Sequence, residues 1–541
     1  MMPDMLFGPH TIATSPPIFP APLDRRAAIV LCMAGFVISA ACGMIHKGGI
    51  LHFDDLTHFL YAKWAWTWPA YLVNDWGRPG FTALYALPAS LGWGACRIFS
   101  AALTAASAYL AWSISARLRM RSAWGAVIFA FAQPLFFQLS QTTLTETALA
   151  FYLILATRCA LSKQWTISSV VLSLALVTRH EAIVFLPIWL YCAAQEKRAI
   201  RKLWPLLWAP LAVNLLAWAA GSKPAIEQFL NPTGTGQYGS GGWLTFFSRS
   251  MEAFGPGIGI LAMIGIAPLT RIGGGLVAAS IAIYFIAQTA VRALGLYDTG
   301  GYARFLVGIS PLIAISALAG WNRLFESEPQ ARRRSAILVA IAMALLWLSM
   351  ERQLILHGAT DVVTAELPRV DVAVKAIRCA TIAVILVTLS VILKERSSGA
   401  GRFSVAAIPT TLAIMMALAA SVLCGPLRPP PEAAIIADVR RQLRSMGHAD
   451  QPIISACVWM DYVTVRSFPP WRPTLRQELD AAPPGTLFAW ERQFAESADH
   501  NLPLAEFAAD PRWRLILESP PLPSDRFPYM HVFLKQPAPG P

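Results

Sequence analysis

Two adjacent carboxylates, Asp54 and Asp55, stand in the segment His52-Phe53-Asp54-Asp55-Leu56-Thr57-His58, directly after the first long apolar run. Neighbouring carboxylates repel each other, so pairing them in a loop that any polar residue could fill points to chemistry. A carboxylate within hydrogen-bond reach of a hydroxyl serves as a general base. The plain alternative is a helix N-terminus, whose dipole favours acids in its first turn. A further acid, Glu146, follows Gln138, Gln141, Thr143 and Thr145, and Thr143-x-x-Glu146 also fits a capping box. Thr178-Arg179-His180-Glu181 sets three ionisable side chains between two short apolar segments. Such groups are costly near membrane depth unless they face water, protein or a ligand. Gly300-Gly301-Tyr302-Ala303-Arg304-Phe305 adds Arg304, whose planar fork suits a phosphate and whose stem can equally snorkel to headgroups. The Gly-rich stretch from Asn231 to Gly242 lacks the strand-before, helix-after setting of a phosphate-binding loop.

The elements that must hold these residues are membrane helices. Of 541 residues, 55% are hydrophobic and only 14% are charged, against roughly 25% in an ordinary soluble domain. Apolar runs recur at 27–46, 91–115, 122–139, 144–161, 165–178, 182–194, 203–220, 254–270, 273–292, 303–320, 336–350, 371–393 and 403–424. Most approach the ~20 residues that cross a bilayer core, and lipid obliges them to be helical. The sequence therefore predicts an all-α polytopic protein of about thirteen spans over 27–424, with an outer loop at 47–90. The formal charge of +13 lies wholly in this part, because residues 425–541 carry twelve Lys/Arg against thirteen Asp/Glu. Its basic clusters, Arg25–Arg26, Arg117–Arg121, Lys197–Lys202, Arg332–Arg334 and Lys394–Arg402, fall in alternate loops. That alternation fixes a cytoplasmic N-terminus (1–26) and makes the charge topogenic rather than a nucleic-acid surface. Asp54, Asp55, Glu146 and most other acids then face the opposite side. The eight cysteines are scattered and imply neither a disulfide framework nor a metal site.

A Pro-rich joint, Pro426-Leu427-Arg428-Pro429-Pro430-Pro431, opens a soluble C-terminal domain at 425–541. Ile435, Val439 and Leu443 give the i, i+4 face of a helix over Glu432–Met446. Short β-rich runs follow at Ile453–Trp459, Leu487–Trp490, Trp513–Leu517 and His531–Leu534, so a small α/β domain outside the cytoplasm is expected. Between the Asp pair and the next span, Leu56, Leu60, Trp64 and Trp68 share one helical face. That pattern predicts a Trp-anchored helix lying in the interface.

In this order and on this common side, the motifs resemble the GT-C superfamily of membrane glycosyltransferases. The likeness is to the polyprenyl-phosphate-sugar-dependent aminoarabinose transferases of lipid A and the protein O-mannosyltransferases, and covers roughly residues 27–320. Asp54-Asp55 matches the acidic pair of that family's first outer loop, Glu146 its second acid, and Gly301–Phe305 with Pro311 its late Tyr/Arg-then-Pro segment. The resemblance implies transfer of a sugar from a polyprenyl-phosphate donor to an envelope lipid, glycan or protein, with inversion, at a bacterial inner membrane. It implies Asp54 or Asp55 as base, with the other orienting the acceptor or holding a divalent metal. Glu146, His58, His180 and Glu181 would support or bind the acceptor. Arg304, Tyr302, Arg179, Arg78 and Lys63 would receive the donor phosphate. A secondary transporter is the rival, since short broken helices with charges are also transporter features; a non-catalytic envelope assembly protein is a third reading.

Overall fold

The computed structural model describes residues 21–324 and 425–537, apart from 47, 197–198, 223, 228–239, 471–473, 498–499 and 524. The runs expected at 336–350, 371–393 and 403–424 lie outside these residues, as do most of the Gly-rich loop and the basic clusters at 332–334 and 394–402.

Helix α1 (Ala21–Ile45) leads into the first long loop, expected on the outer side, which folds as α2 (Phe53–Trp64), a 3-10 turn (Pro69–Val73) and α3 (Pro79–Ser90). Helix α4 (Trp93–Arg117) returns through the apolar layer. Next come two short helices, Gly125–Phe131 and Pro134–Leu139, then α5 (Thr145–Leu161) and α6 (Trp165–Thr178). The single span expected at 122–139 is thus broken. Pro134 cannot continue a helix that precedes it, but it is well suited to opening the next one. The charged turn at Arg179 behaves as expected: Arg179 is extended, and a 3-10 turn (His180–Phe185) restarts the chain. Later come α7 (Gly275–Ala293) and a 3-10 segment (Ala303–Ile309) that runs straight into α8 (Ser310–Leu324). Among the described residues four helices are long and apolar enough to cross a membrane, or five if one sharply bent pair counts as a span. Several other runs of the expected thirteen fold as shorter helical pieces.

The segment Ala303–Leu324 is the axis of the bundle, with 94% of its apolar window buried. Small residues make that burial possible. A Cβ on Gly265 would lie 1.7 Å from the Ser316 carbonyl oxygen, and one on Gly320 would lie 2.0 Å from that of Leu261. Backbone against backbone is how membrane helices pack without a hydrophobic driving force between them. Arg304, at the N-terminal end of this axis, therefore stands on a tightly packed base.

The C-terminal domain carries a four-stranded sheet in the order β1-β2-β4-β3: β1 (Ile453–Ser455), β2 (Leu487–Glu491), β3 (Trp513–Glu518) and β4 (Met530–Lys535). The β1–β2 pair is parallel and the other two are antiparallel. The first expected strand is cut short at Ser455, and Val458–Thr464 forms α10 instead. Helix α9 (Pro431–Ser445) buries Ile436, Val439 and Leu443. This domain sits on the outer loop. Trp93 meets Trp459 (5.9 Å between ring centres), Phe59 meets Tyr462 (6.1 Å) and Phe53 meets Phe494 (5.7 Å). Gln141 clamps the Pro-rich joint, donating to the Gly425 carbonyl (3.2 Å) and accepting from the Leu427 N–H (3.3 Å).

Candidate active site

The two carboxylates of the pair part company. Helix α2 starts at Phe53 with His52 as its N-cap, so both acids fall in the first turn, where the dipole favours them. Successive residues on a helix point about 100° apart, and here that angle separates two environments. Asp55 is fully buried and accepts from the Thr143 N–H (2.6 Å) and the Thr143 hydroxyl. Burial raises its carboxyl above the ordinary range, opposed in part by Arg97 and the Thr143 bonds. Asp54 keeps 28% of its side chain exposed and accepts from Arg304 Nη2 at 2.7 Å. Burial works against its charge, but Arg304 and His52 outweigh it and hold the carboxyl well below the usual range. Asp54 is a carboxylate open to a partner; Asp55 is a structural brace.

From Asp54 a chain of alternating charges runs inward. Arg304 Nε lies 3.4 Å from Glu146 Oε1, Arg179 Nη1 lies 2.6 Å from the same oxygen, and Arg179 Nε lies 2.5 Å from Glu181 Oε1. Glu146 is 1% exposed and Arg304 5%, so these charges survive only because each is paired. Arg179 also donates to the Thr145 hydroxyl (3.0 Å), and its guanidinium lies over Phe305. The Thr143–Glu146 capping box does not form: Leu144 is the N-cap of α5 without a side-chain bond, Thr143 turns to Asp55, and Glu146 turns to the arginines. Tyr302 packs its ring 4.8 Å from the Arg304 guanidinium and edge-on to His52.

A second strand of the network flanks the first. Asp75 Oδ1 lies 2.9 Å from His180 Nε2, and Arg78 Nη1 lies 3.2 Å from His180 Nδ1. Arg78 has φ +60°, a region non-glycine residues seldom occupy. Such strain persists where surroundings over-determine it, often at sites of function. His58 is buried against Trp76 and Phe81, and burial pushes its pKa down to about 3, so it is neutral.

Most of the residues singled out from sequence therefore converge: Asp54, Glu146, Arg179, Glu181, Arg304 and Tyr302, with His180 and Arg78 alongside. Lys63 does not. It stands at the far end of α2, its Nζ 6.0 Å from the centre of the Phe59 ring, in a separate cleft beside Arg466. The adjacent acids also fail as a shared metal site, since they turn to different partners. Among the described residues no group of three or more His, Cys, Asp or Glu could hold a metal. Two participants escaped the sequence reading, Asp75 and Arg97. Arg97 is 3% exposed and donates to the carbonyls of Gly43 (3.1 Å), His46 (3.0 Å) and Gly49, fastening the end of α1 to the outer loop. A lone arginine inside the run 91–115 was the available signal.

Some buried polar atoms of the network have no hydrogen-bond partner among the described residues. They include Arg304 Nη1 and Glu146 Oε2. A donor and an acceptor left open beside Asp54 can take an anion and a hydroxyl.

No family model and no curated protein sequence matches the chain. Two solved structures share its architecture. One is ArnT from Cupriavidus metallidurans in the apo state, with TM-score 0.55 and 12% identity over 93% of this chain and 97% of that one. The other is ArnT from the same organism bound to undecaprenyl phosphate, with TM-score 0.53 and 13% identity over 95% and 98%. The likeness covers the helical bundle and the C-terminal domain together, and at this identity it is one of fold. The chain has the fold of ArnT, a GT-C membrane glycosyltransferase.

Proposed function

We propose that this protein is a membrane glycosyltransferase that moves a sugar from a polyprenyl-phosphate donor to an acceptor hydroxyl at the outer face of the membrane. The observation that carries the reading is the ionised, partly exposed Asp54 held by Arg304 at the head of a buried charge network. The ArnT fold, with one such structure bound to undecaprenyl phosphate, supports the donor class.

A sugar on a lipid phosphate already has a good leaving group, so the protein must position, deprotonate and steady charge. Asp54 takes the proton of the acceptor hydroxyl while the hydroxyl oxygen bonds to the anomeric carbon. The bond from that carbon to the phosphate oxygen breaks, and its electrons leave with the lipid phosphate. One displacement inverts the anomeric centre. Arg304 Nη1 and Arg78 receive the phosphate through charge-assisted bonds. A carboxylate clamped by arginine is a weak base, and the donor remedies this. Its phosphate competes for Arg304, loosens the grip on Asp54 and raises the basicity of the carboxylate where the acceptor arrives. Glu146 keeps Arg304 and Arg179 in place, and its open Oε2 can orient an acceptor hydroxyl.

Incubating the purified protein with radiolabelled polyprenyl-phosphate sugars and an envelope extract tests the reading. Label should move to an extract component and the released lipid should be a monophosphate. A wild-type protein that neither binds nor consumes any such donor would sink it.

A further inference from the structure

Away from the charge network, the outer domain and the end of α2 enclose a basic cleft. Lys63 and Trp66 from the membrane side and Tyr462, Val465 and Arg466 from the outer domain line a cavity of about 320 Å³. Arg466 also lines a neighbouring cavity of about 210 Å³ with Arg440, Arg444 and His448, where Asp450 is the lining acid. Two cations from separate parts of the chain thus line one cavity, and neither has a carboxylate within ion-pair reach among the described residues. The Nη1 atom of Arg466 is buried without a hydrogen-bond partner among those residues, while the guanidinium is held 5.1 Å from the centre of the Phe468 ring.

Backbone strain builds the cleft. Val465 sits at φ 56°, ψ 31°, left-handed geometry that a β-branched residue resists. That turn ends α10, leaves the Val465 side chain 72% exposed at the rim, and brings Arg466 into the cavity wall. Trp66, 59% exposed, completes an apolar lip. Basic groups beneath an exposed tryptophan and valine are complementary to an anion on an apolar tail at the membrane surface. Nine residues at ~1.5 Å each separate Lys63 from Asp54 along α2, about 14 Å. An anion held here is too far from Asp54 to be the one that leaves during transfer.

We propose that this cleft is a second anion site, which binds the phosphate group of a membrane amphiphile through Lys63 and Arg466 while Trp66 and Val465 meet its apolar part. The site stands whether or not the protein transfers a sugar.

Calorimetric titration of the detergent-solubilised full chain tests it with three probes: dihexanoyl phosphatidic acid, dihexanoyl phosphatidylcholine and inorganic phosphate. The phosphatidic acid should bind at least tenfold more tightly than the phosphatidylcholine. Lys63→Gln should weaken it severalfold, and Lys63→Gln with Arg466→Gln should weaken it at least tenfold. Arg476→Gln, exposed and away from the cleft, should leave that binding unchanged. Equal affinity in wild type and the double variant would overturn the proposal, as would an equal loss in Arg476→Gln. Inorganic phosphate binding as tightly as the phosphatidic acid would remove the lipid as its source.

Discussion

The helical bundle and the C-terminal domain treat charge differently. In the C-terminal domain the ion pairs are mostly exposed, and several are local in sequence: Arg441 with Asp438, Arg492 with Glu496, Arg512 with Asp510. Around Glu146 and Arg304 the pairs are largely buried and join distant parts of the chain. Arg304 reaches Asp54 across 250 positions and Arg179 reaches Glu146 across 33. Exposed pairs contribute little and can be lost without consequence. Buried ones are costly to assemble and worse to break, because removing one partner strands the other. A chain that could have filled its bundle with leucine instead keeps a buried relay in one place. The contrast is what singles out the Asp54–Arg304–Glu146–Arg179 network for the proposed chemistry, while the surface pairs of the C-terminal domain read as ordinary solvation.

The contrast can be broken most sharply at Asp54. Asp54→Asn should reduce transfer by ~10²–10⁴-fold in a protein that still inserts and folds, whereas Asp55→Asn should lower stability and leave the turnover of folded enzyme near wild type. Comparable turnover in both variants would erase the distinction between them. Glu146→Gln leaves Arg304 and Arg179 sharing too little negative charge, and should cost about 3–5 kcal/mol of stability, read as a fall in melting temperature in detergent.

In the outer domain the exception is Glu491, buried at the end of β2. Burial, with a contribution from Glu432, raises its pKa to about 7, although the Gln493 and Phe494 N–H groups bond it. A carboxyl raised in the folded state binds its proton more tightly folded than unfolded. Its contribution is therefore complete below the ordinary value near 4.5 and is lost as pH climbs through about 7. Hydrogen-exchange protection of β2, corrected for intrinsic rates, should fall over that window by on the order of 3 kcal/mol. Glu491→Gln should flatten the dependence; a pH-independent wild type would refute it. The smallest effect belongs to the exposed Arg476–Glu506 pair: Arg476→Ala should change stability by less than about 1 kcal/mol.

What the sequence made legible follows from range. Helix α5 was expected at 144–161 and lies at Thr145–Leu161, and β2 and β4 fall within a residue or two of their apolar runs, because such signals are local. The acids and arginines of the site were identifiable as types out of place in an apolar chain. Their pairing was not, since nothing local links residue 54 to residue 304. The same limit left two readings of Thr143 and Glu146 open. Their spacing satisfies a cap, and only the arrival of Asp55, Arg179 and Arg304 from elsewhere in the chain decides against it. Lys63 was named among the phosphate ligands only through the family resemblance. The straight run of α2 carries it out of reach.

The bond from Arg304 to Asp54 also sets a clock on biogenesis. At about 5–20 residues per second, the ribosome makes Arg304 roughly 12–50 s after Asp54. Glu146 and Glu181 are likewise made before that cation. Through this interval the nascent chain holds its acids around an incomplete site, and Asp54 has no guanidinium to fix its charge. A chain stalled short of residue 303 can complete α1 to α7 and still leave Asp54 and Glu146 without the guanidinium that bridges them.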